Sequence, residues 1–427
     1  MSLSLRELQT LPDVDLARQD NAPATRGPAF MIATGLECSY PTVEGGRRRD
    51  ELEETGHYKR WQEDFDLCRE IGARYIRYGL PYYKTHLGPG RYDWSFPDEV
   101  LPVMWDKGLI PILDLCHFGV PDWVGSFQNT EWPRYFAEYC SACAKRYPWV
   151  KYYTPINEML VCARFSGKLG TWNEQEKSDR ALVQAHANQC RATLVGILEI
   201  LKQRPDAVFI QSEVAEAFVP LSPGGQASAD FHNQFRFVTF DHIYGLAPHG
   251  EVQKFLLDNG LTDHDLRWFR QHGREAAQHC VLGMDYYSAN EKTVKADGSV
   301  ESEGQMLGWH AIAGDYYARY HRPLMLTETN AVDHGNGESE RWLKQTWAQA
   351  HHLRREGIPV IGYTWFSLTD QIDWDIQITR IRGKVVPNGL CTLERKLRGV
   401  GNLYKTLAHE NANSPLIYGV PTGLMTH

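Results

Sequence analysis

Eight short apolar or β-branched runs recur along this chain, and a segment with helical spacing separates each from the next. The runs fall at residues 30–37, 74–80, 109–116, 150–156, 208–214, 281–287, 323–328 and 359–367. A strand followed by a helix before the next strand cannot pair with that strand through a tight hairpin. The alternation therefore demands parallel pairing with crossover helices. Eight such units close on themselves, so the expected fold is α/β: a (β/α)8 TIM barrel with extended βα loops. The chain reads as one domain over residues 1–427, with a core from about 28 to 410.

Two connecting segments carry the helical signal plainly. In GHYKRWQEDFDLCREIG, Trp61, Phe65 and the Leu67/Cys68 pair recur at helical spacing. In SDRALVQAHANQCRATLVGILEILKQ, Leu194, Ile197, Leu198 and Leu201 share a face. Between strands five and six lies a long segment, about residues 215 to 280. It reads as an insertion on the barrel, opening with a flexible PLSPGGQASAD stretch and continuing as several helices. The polar tail after about Val400 is expected to be peripheral.

Composition narrows the class. A net charge of −8 disfavours nucleic acid as a partner. No stretch approaches the roughly 18 apolar residues of a membrane span. The opening MSLSLRELQTLPDVD has no apolar signal core, and nine cysteines are scattered without a disulfide-like pattern. Cys140 and Cys143 have CxxC spacing but no second pair, so they read as reduced thiols on a helix. These features give the expectation of a reduced, cytoplasmic protein.

Chemistry in barrel enzymes sits at the C-terminal ends of the strands. Strand four runs VKYYTPINEM and ends in Asn157-Glu158, and strand seven runs RPLMLTETN and ends in Glu328. Glutamate is rare at buried positions without a reason. Strands four and seven lie on opposite sides of an eight-stranded barrel, so the two carboxyls face each other across its mouth. That is the requirement of glycoside hydrolysis: one carboxyl protonated to assist the leaving oxygen, one ionised to attack or to activate water.

On these residues the chain resembles glycoside hydrolase family 1, the retaining β-glycosidases. The family motif Thr-Phe-Asn-Glu-Pro is matched by Thr154-Pro155-Ile156-Asn157-Glu158-Met159. The motif Ile-Thr-Glu-Asn-Gly is matched by Leu326-Thr327-Glu328-Thr329-Asn330, and the strand-eight motif by GYTWFSLTDQIDW at 362–374. The resemblance implies Glu158 as acid/base and Glu328 as nucleophile in double displacement on a β-glycoside or oligosaccharide, with no cofactor and no metal. It further implies that Arg77 sits beside the nucleophile, that Asn157 binds the sugar 2-hydroxyl, and that His117 contacts the sugar. Tyr287 matches the tyrosine that bonds the nucleophile, with adjacent Tyr286 as the competing choice. Trp365, Asp373 and Trp374 match the sugar-binding positions around strand eight, and Glu37 stands in the region where the family carries a Gln.

The chain departs from the pattern at several places. Met159 replaces Pro, Phe118 replaces Trp, Asp373 replaces Glu, and Phe366 holds the usual Trp register with Trp365 one step earlier. Two basic runs, Arg47 to Arg49 and Arg380, Arg382 and Lys384, follow strands one and eight and should neighbour each other. They suggest an anionic sugar, but Glu44, Asp50, Glu51, Glu53 and Glu54 surround the first run. A transglycosidase would use the same glutamates. A non-catalytic sugar-binding barrel would be expected to lack one of them. Absence of any HxH disfavours a metal-dependent hydrolase.

Overall fold

The computed structural model describes residues 30–302 and 304–412. Eight parallel strands form a closed barrel. In chain order they are β1 (Met31–Gly35), β2 (Tyr75–Gly79), β3 (Ile110–Asp114), β4 (Tyr152–Thr154), β5 (Val208–Val214), β6 (Cys280–Asp285), β7 (Leu324–Glu328) and β8 (Val360–Trp365). Each expected strand is present; β5 matches its run, β6 begins one residue earlier than its run, and the others are trimmed at one or both ends. β1 closes the ring by pairing with both β8 and β2.

Period-two alternation sorts the barrel interior into layers. The lower layers are apolar: Met31, Ala33, Ile112, Val208, Ile210, Val281, Met325 and Ile361 form one buried cluster. One step further along the same strands the character changes. Tyr75 is followed two residues on by Arg77, Ile112 by Asp114, Tyr152 by Thr154, Ile210 by Ser212 and Met325 by Thr327, and the polar member of each pair is buried. Buried polar groups need partners. The upper layer is thus a hydrogen-bonded network on an apolar base, and it opens at the C-terminal mouth.

The two helices read from sequence are His57–Glu70 and Asp179–Gln203. In the second, Leu194, Ile197 and Ile200 are fully buried, while Leu198 and Leu201 are half-buried at the margin of the face. Cys140 and Cys143 lie buried and unpaired on helix Trp132–Arg146. The segment between β5 and β6 holds four helices, as expected, but its opening is ordered. Strand Ala217–Pro220 pairs with Glu291–Val294, and helix Gln226–Phe235 follows at once. No helix among the described residues is long and apolar enough to cross a membrane. The N-terminal segment lies outside the described residues.

The tail departs from expectation. Residues Gly399–Asn411 form a helix whose Val400, Tyr404 and Ala408 are buried. The Tyr404 hydroxyl donates to the Ala33 carbonyl of β1 at 2.6 Å. The helix therefore braces the barrel rather than lying at its edge. Truncating a buried aromatic removes burial and leaves a cavity. Tyr404→Ala is expected to cost about 3–5 kcal/mol in a denaturant titration, by the cost typical of such truncations. A change under about 1 kcal/mol, the range of surface substitutions, would show the helix to be dispensable.

Candidate active site

Glu158 follows the end of β4 with φ 39°, a left-handed conformation that is unfavourable for a residue with a Cβ. Two backbone bonds hold the turn: Glu158 N–H donates to the Ser212 carbonyl at 2.9 Å and Asn157 N–H to the Cys116 carbonyl at 3.0 Å. The strain is thus supported by the neighbouring strands, and it aims the carboxyl into the mouth. Glu328 is the last residue of β7. Carboxyl oxygens of Glu158, Glu328 and a third acid, Asp285 at the end of β6, lie within 4.8 Å of one another.

Their surroundings differ. Glu328 Oε1 accepts from Arg77 Nη1, and its Oε2 accepts from the Tyr287 hydroxyl at 2.8 Å. Tyr286 points the other way and donates to Glu291 at 2.6 Å, so it is Tyr287 that meets Glu328. Arg77 is buried, and its Nη2 also donates to Asp114 Oδ2 at 3.0 Å and Asn157 Oδ1 at 2.7 Å. A guanidinium in this position gives the carboxyl a charge-assisted partner and fixes its plane. Among the described residues no guanidinium is bonded to Glu158 in this way. Burial first, then the charges of Asp285, Glu328 and Glu213, push its pKa well above the ordinary carboxyl range. The pair is therefore asymmetric, with Glu158 kept protonated by burial and like charge and Glu328 bonded by a guanidinium and a phenol.

His117, at the mouth after β3, is buried between Asp114 Oδ2 at 2.7 Å from Nδ1 and Asn157 Nδ2 at 3.1 Å from Nε2. An imidazole that donates through Nδ1 to Asp114 presents Nε2 as an acceptor to Asn157. Arg77, Asp114, His117 and Asn157 thus form one continuous network that carries the orientation of Glu328 around to the Glu158 turn.

The aromatic floor differs from the sequence expectation. Trp365 is fully buried, and its indole donates to the Asn388 carbonyl at 3.1 Å. The next side chain, Phe366, points to the opposite side. Its ring lies parallel to His117, with centroids 6.1 Å apart, and the Arg77 guanidinium sits 5.3 Å from its centroid. Residue 35 must be glycine for this: a Cβ there would stand 2.3 Å from the Phe366 ring. Phe366, not Trp365, is the flat surface beside the carboxyls. Trp374 is half-buried next to Phe118, with centroids 6.2 Å apart, and its indole N–H meets no acceptor among the described residues. Trp172, unremarked in the sequence, backs both rings, with its centroid 4.8 Å from Phe118.

Asp373 also departs from expectation. It is fully buried and its oxygens are taken up by protein donors: the amides of Arg382 at 2.7 Å, Gly383 at 3.0 Å and Lys384 at 2.9 Å, and Arg49 Nη1 at 3.3 Å. Burial opposes its ionisation, but the three amides outweigh it and lower the pKa. Asp373 organises the loop at 380–384 rather than offering oxygens to a sugar. Glu37 is buried too, bonded by Ser39 N–H at 2.9 Å and by Gln371 Nε2 at 2.7 Å, and burial raises its pKa.

The two basic loops meet, as expected. Their charges are largely spent internally. Arg49 is paired with Glu51 at 2.9 Å and with Glu54, Arg48 with Asp122 at 2.6 Å, and Lys384 with Asp375 at 2.7 Å.

Among the site residues, Asp285 was missed in the sequence. Ser212 donates to it at 2.7 Å and Thr327 at 2.7 Å. Burial and the Glu328 charge raise its pKa well above the ordinary value. The available signal was parity: Asp285 lies two and four residues after Gly283 and Val281, so it belongs to the inward face of β6.

Known proteins share this architecture. A family 1 β-glucosidase from Thermotoga maritima, solved in complex with isofagomine lactam, superposes with a TM-score of 0.74 over 90% of this chain and 98% of that one, at 19% identity. In sequence, beta-glucosidase A of Thermotoga maritima is 21% identical over 436 residues, covering 92% of this chain and 94% of its own length. The 6-phospho-beta-glucosidase AscB of Escherichia coli is 28% identical over 376 residues, covering 75% and 76%. The family model described as glycosyl hydrolase family 1 matches residues 46–290, more than half of the chain. That span carries Glu158 and the whole of β2 to β6 in the order the barrel displays them. A barrel with paired acids at its mouth, matched by this model over most of its length, is a β-glucosidase-like glycoside hydrolase, and the chain belongs to glycosyl hydrolase family 1.

Proposed function

We propose that the protein is a retaining β-glycosidase in which Glu328 is the nucleophile and Glu158 the acid/base, acting on a small β-glycoside or oligosaccharide. The observation that carries this reading is the asymmetric pair: oxygens within 4.8 Å, one acid clamped by Arg77 and Tyr287, the other kept protonated by burial and like charge. Retaining enzymes separate their carboxyls by about 5–5.5 Å, inverting ones by about 6.5–9.5 Å, to admit a water. The short separation supports retention.

The steps follow from the geometry. Glu328 attacks the anomeric carbon while Glu158 delivers its proton to the departing glycosidic oxygen. A glycosyl ester forms on Glu328 and the aglycone leaves. Glu158, now ionised, takes a proton from water, which attacks the same carbon and releases Glu328. Asn157 lies beside this path to bind a hydroxyl, and His117, whose two ring nitrogens are held by Asp114 and Asn157, orients it. Phe366 and Trp374 offer ring faces, and the Trp374 N–H a free donor. The internal pairing of Arg48, Arg49 and Lys384 favours a neutral sugar over a phosphorylated one. The barrel serves as the whole catalytic unit.

A panel of nitrophenyl β-glycosides (glucoside, galactoside, fucoside, xyloside, mannoside), with Glu328→Gln as blank, tests the reading. Release lost in the variant supports it; release unchanged in the variant contradicts it.

Asp285 gives a further prediction. Activity requires Glu158 protonated, so the alkaline limb of kcat/KM follows its ionisation. Above its own raised pKa Asp285 carries a negative charge that disfavours ionised Glu158, and Asp285→Asn keeps the shape while removing that charge. The alkaline limb should therefore move to lower pH, by roughly one unit for a like charge at this range. An unmoved or upward-shifted limb would mean that Asp285 does not act on Glu158.

A further inference from the structure

Away from the mouth, three metal-binding side chains converge between two helices. His310 lies in the first turn of helix Trp309–Tyr320. His352 is in the last turn of helix Glu338–Arg355, and Glu356 caps that helix. His310 Nε2 stands 2.8 Å from Glu356 Oε2, and His352 Nε2 stands 3.3 Å from Glu356 Oε1. The two imidazole rings are 4.6 Å apart, and one ligand atom from each residue falls within a 4.8 Å cluster.

We propose that His310, His352 and Glu356 bind a single divalent transition-metal ion of the zinc class. Zinc takes imidazole nitrogen at about 2.0–2.1 Å and carboxylate oxygen at about 2.0–2.2 Å, so ligands around a tetrahedral ion stand about 3.3–3.5 Å apart. The observed separations reach that with small side-chain shifts. His352 and Glu356 are four residues apart, one above the other on one helical face, which is the spacing that lets one helix supply two ligands. The donor set of two imidazoles and one carboxylate suits zinc, cobalt or nickel and not magnesium or calcium, which take oxygen ligands. Hydrogen bonding alone gives a weaker account of the convergence, because exposed ion pairs contribute little to stability. The ion would join the helix before β7 to the helix after it, and so brace the strand that bears Glu328.

Titration calorimetry of the full chain with Zn²⁺, beside His310→Ala and His352→Ala, tests this. All three side chains are solvent-accessible, so the variants should fold. The proposal predicts one saturable site in the parent protein. Affinity should fall in each variant by more than the roughly 10–100-fold that loss of an outer partner costs. Added Zn²⁺ should raise the Tm of the parent but not of the variants. Co²⁺ should give the visible absorption of a low-symmetry site in the parent only. Binding of equal strength in parent and variants, which includes binding at the mouth carboxyls, would overturn the proposal. So would an absence of saturable binding in the parent.

Discussion

Glu328→Gln is expected to lower kcat by at least about 10³-fold on every β-glycoside the enzyme accepts, the scale seen when a nucleophile is removed. The amide matches the carboxylate in shape, so Tyr287 keeps an acceptor. Arg77 retains Asp114 and Asn157. The fold should survive, and equal unfolding midpoints in parent and variant would separate lost chemistry from lost structure. A stronger form of the test uses Glu328→Gly with azide. The small anion would enter the space of the deleted side chain and attack from the nucleophile's face. It should restore turnover of an activated β-glycoside and yield the α-glycosyl azide. A β-azide product would assign the attacking face to a different group.

Glu158→Gln should have an effect that depends on the leaving group. A poor leaving group such as an alkyl alcohol needs the proton, and its release should slow by about 10²–10⁴-fold, the usual contribution of general acid catalysis. A dinitrophenolate leaves without help, so formation of the glycosyl enzyme should be nearly unimpaired. Hydrolysis of that intermediate then loses its general base, and a burst of phenolate should precede slow turnover. The alkaline limb of the pH profile should disappear for the first step. Its pKa is raised in the parent by burial and by Asp285, Glu328 and Glu213, so the parent stays active until the pH passes well above the usual carboxyl range. Equal slowing of good and poor leaving groups would count against an acid role for Glu158.

The barrel was legible because its strands are written as buried runs. Strands β4 and β7 could be placed closely enough to see that each ends at an acid. The network under those acids was only partly legible. Arg77 and Asn157 stand out by motif, yet their shared contact depends on register across β2, β3 and β4, which no single strand encodes. Trp365 and Phe366 show how a shift of one residue changes the answer: neighbouring strand residues face opposite sides, and the larger ring lost the site to the one with inward parity. Asp373 occupies its motif position, but the amides that saturate it come from a loop nine to eleven residues later. The closing helix was legible though passed over: Val400, Leu403, Tyr404, Leu407 and Ala408 recur at helical spacing on one face.

The most direct test of the central claim is to trap the intermediate. A 2-deoxy-2-fluoro β-glycoside with a good leaving group slows both steps, and the activated aglycone lets the first outrun the second. The sugar preferred in the nitrophenyl panel fixes the reagent. After digestion, mass spectrometry should find the fluorosugar ester on the peptide bearing Glu328, and nowhere in protein inactivated as Glu328→Gln. The same label on Glu158, Asp285 or another carboxyl would contradict the assignment of the nucleophile.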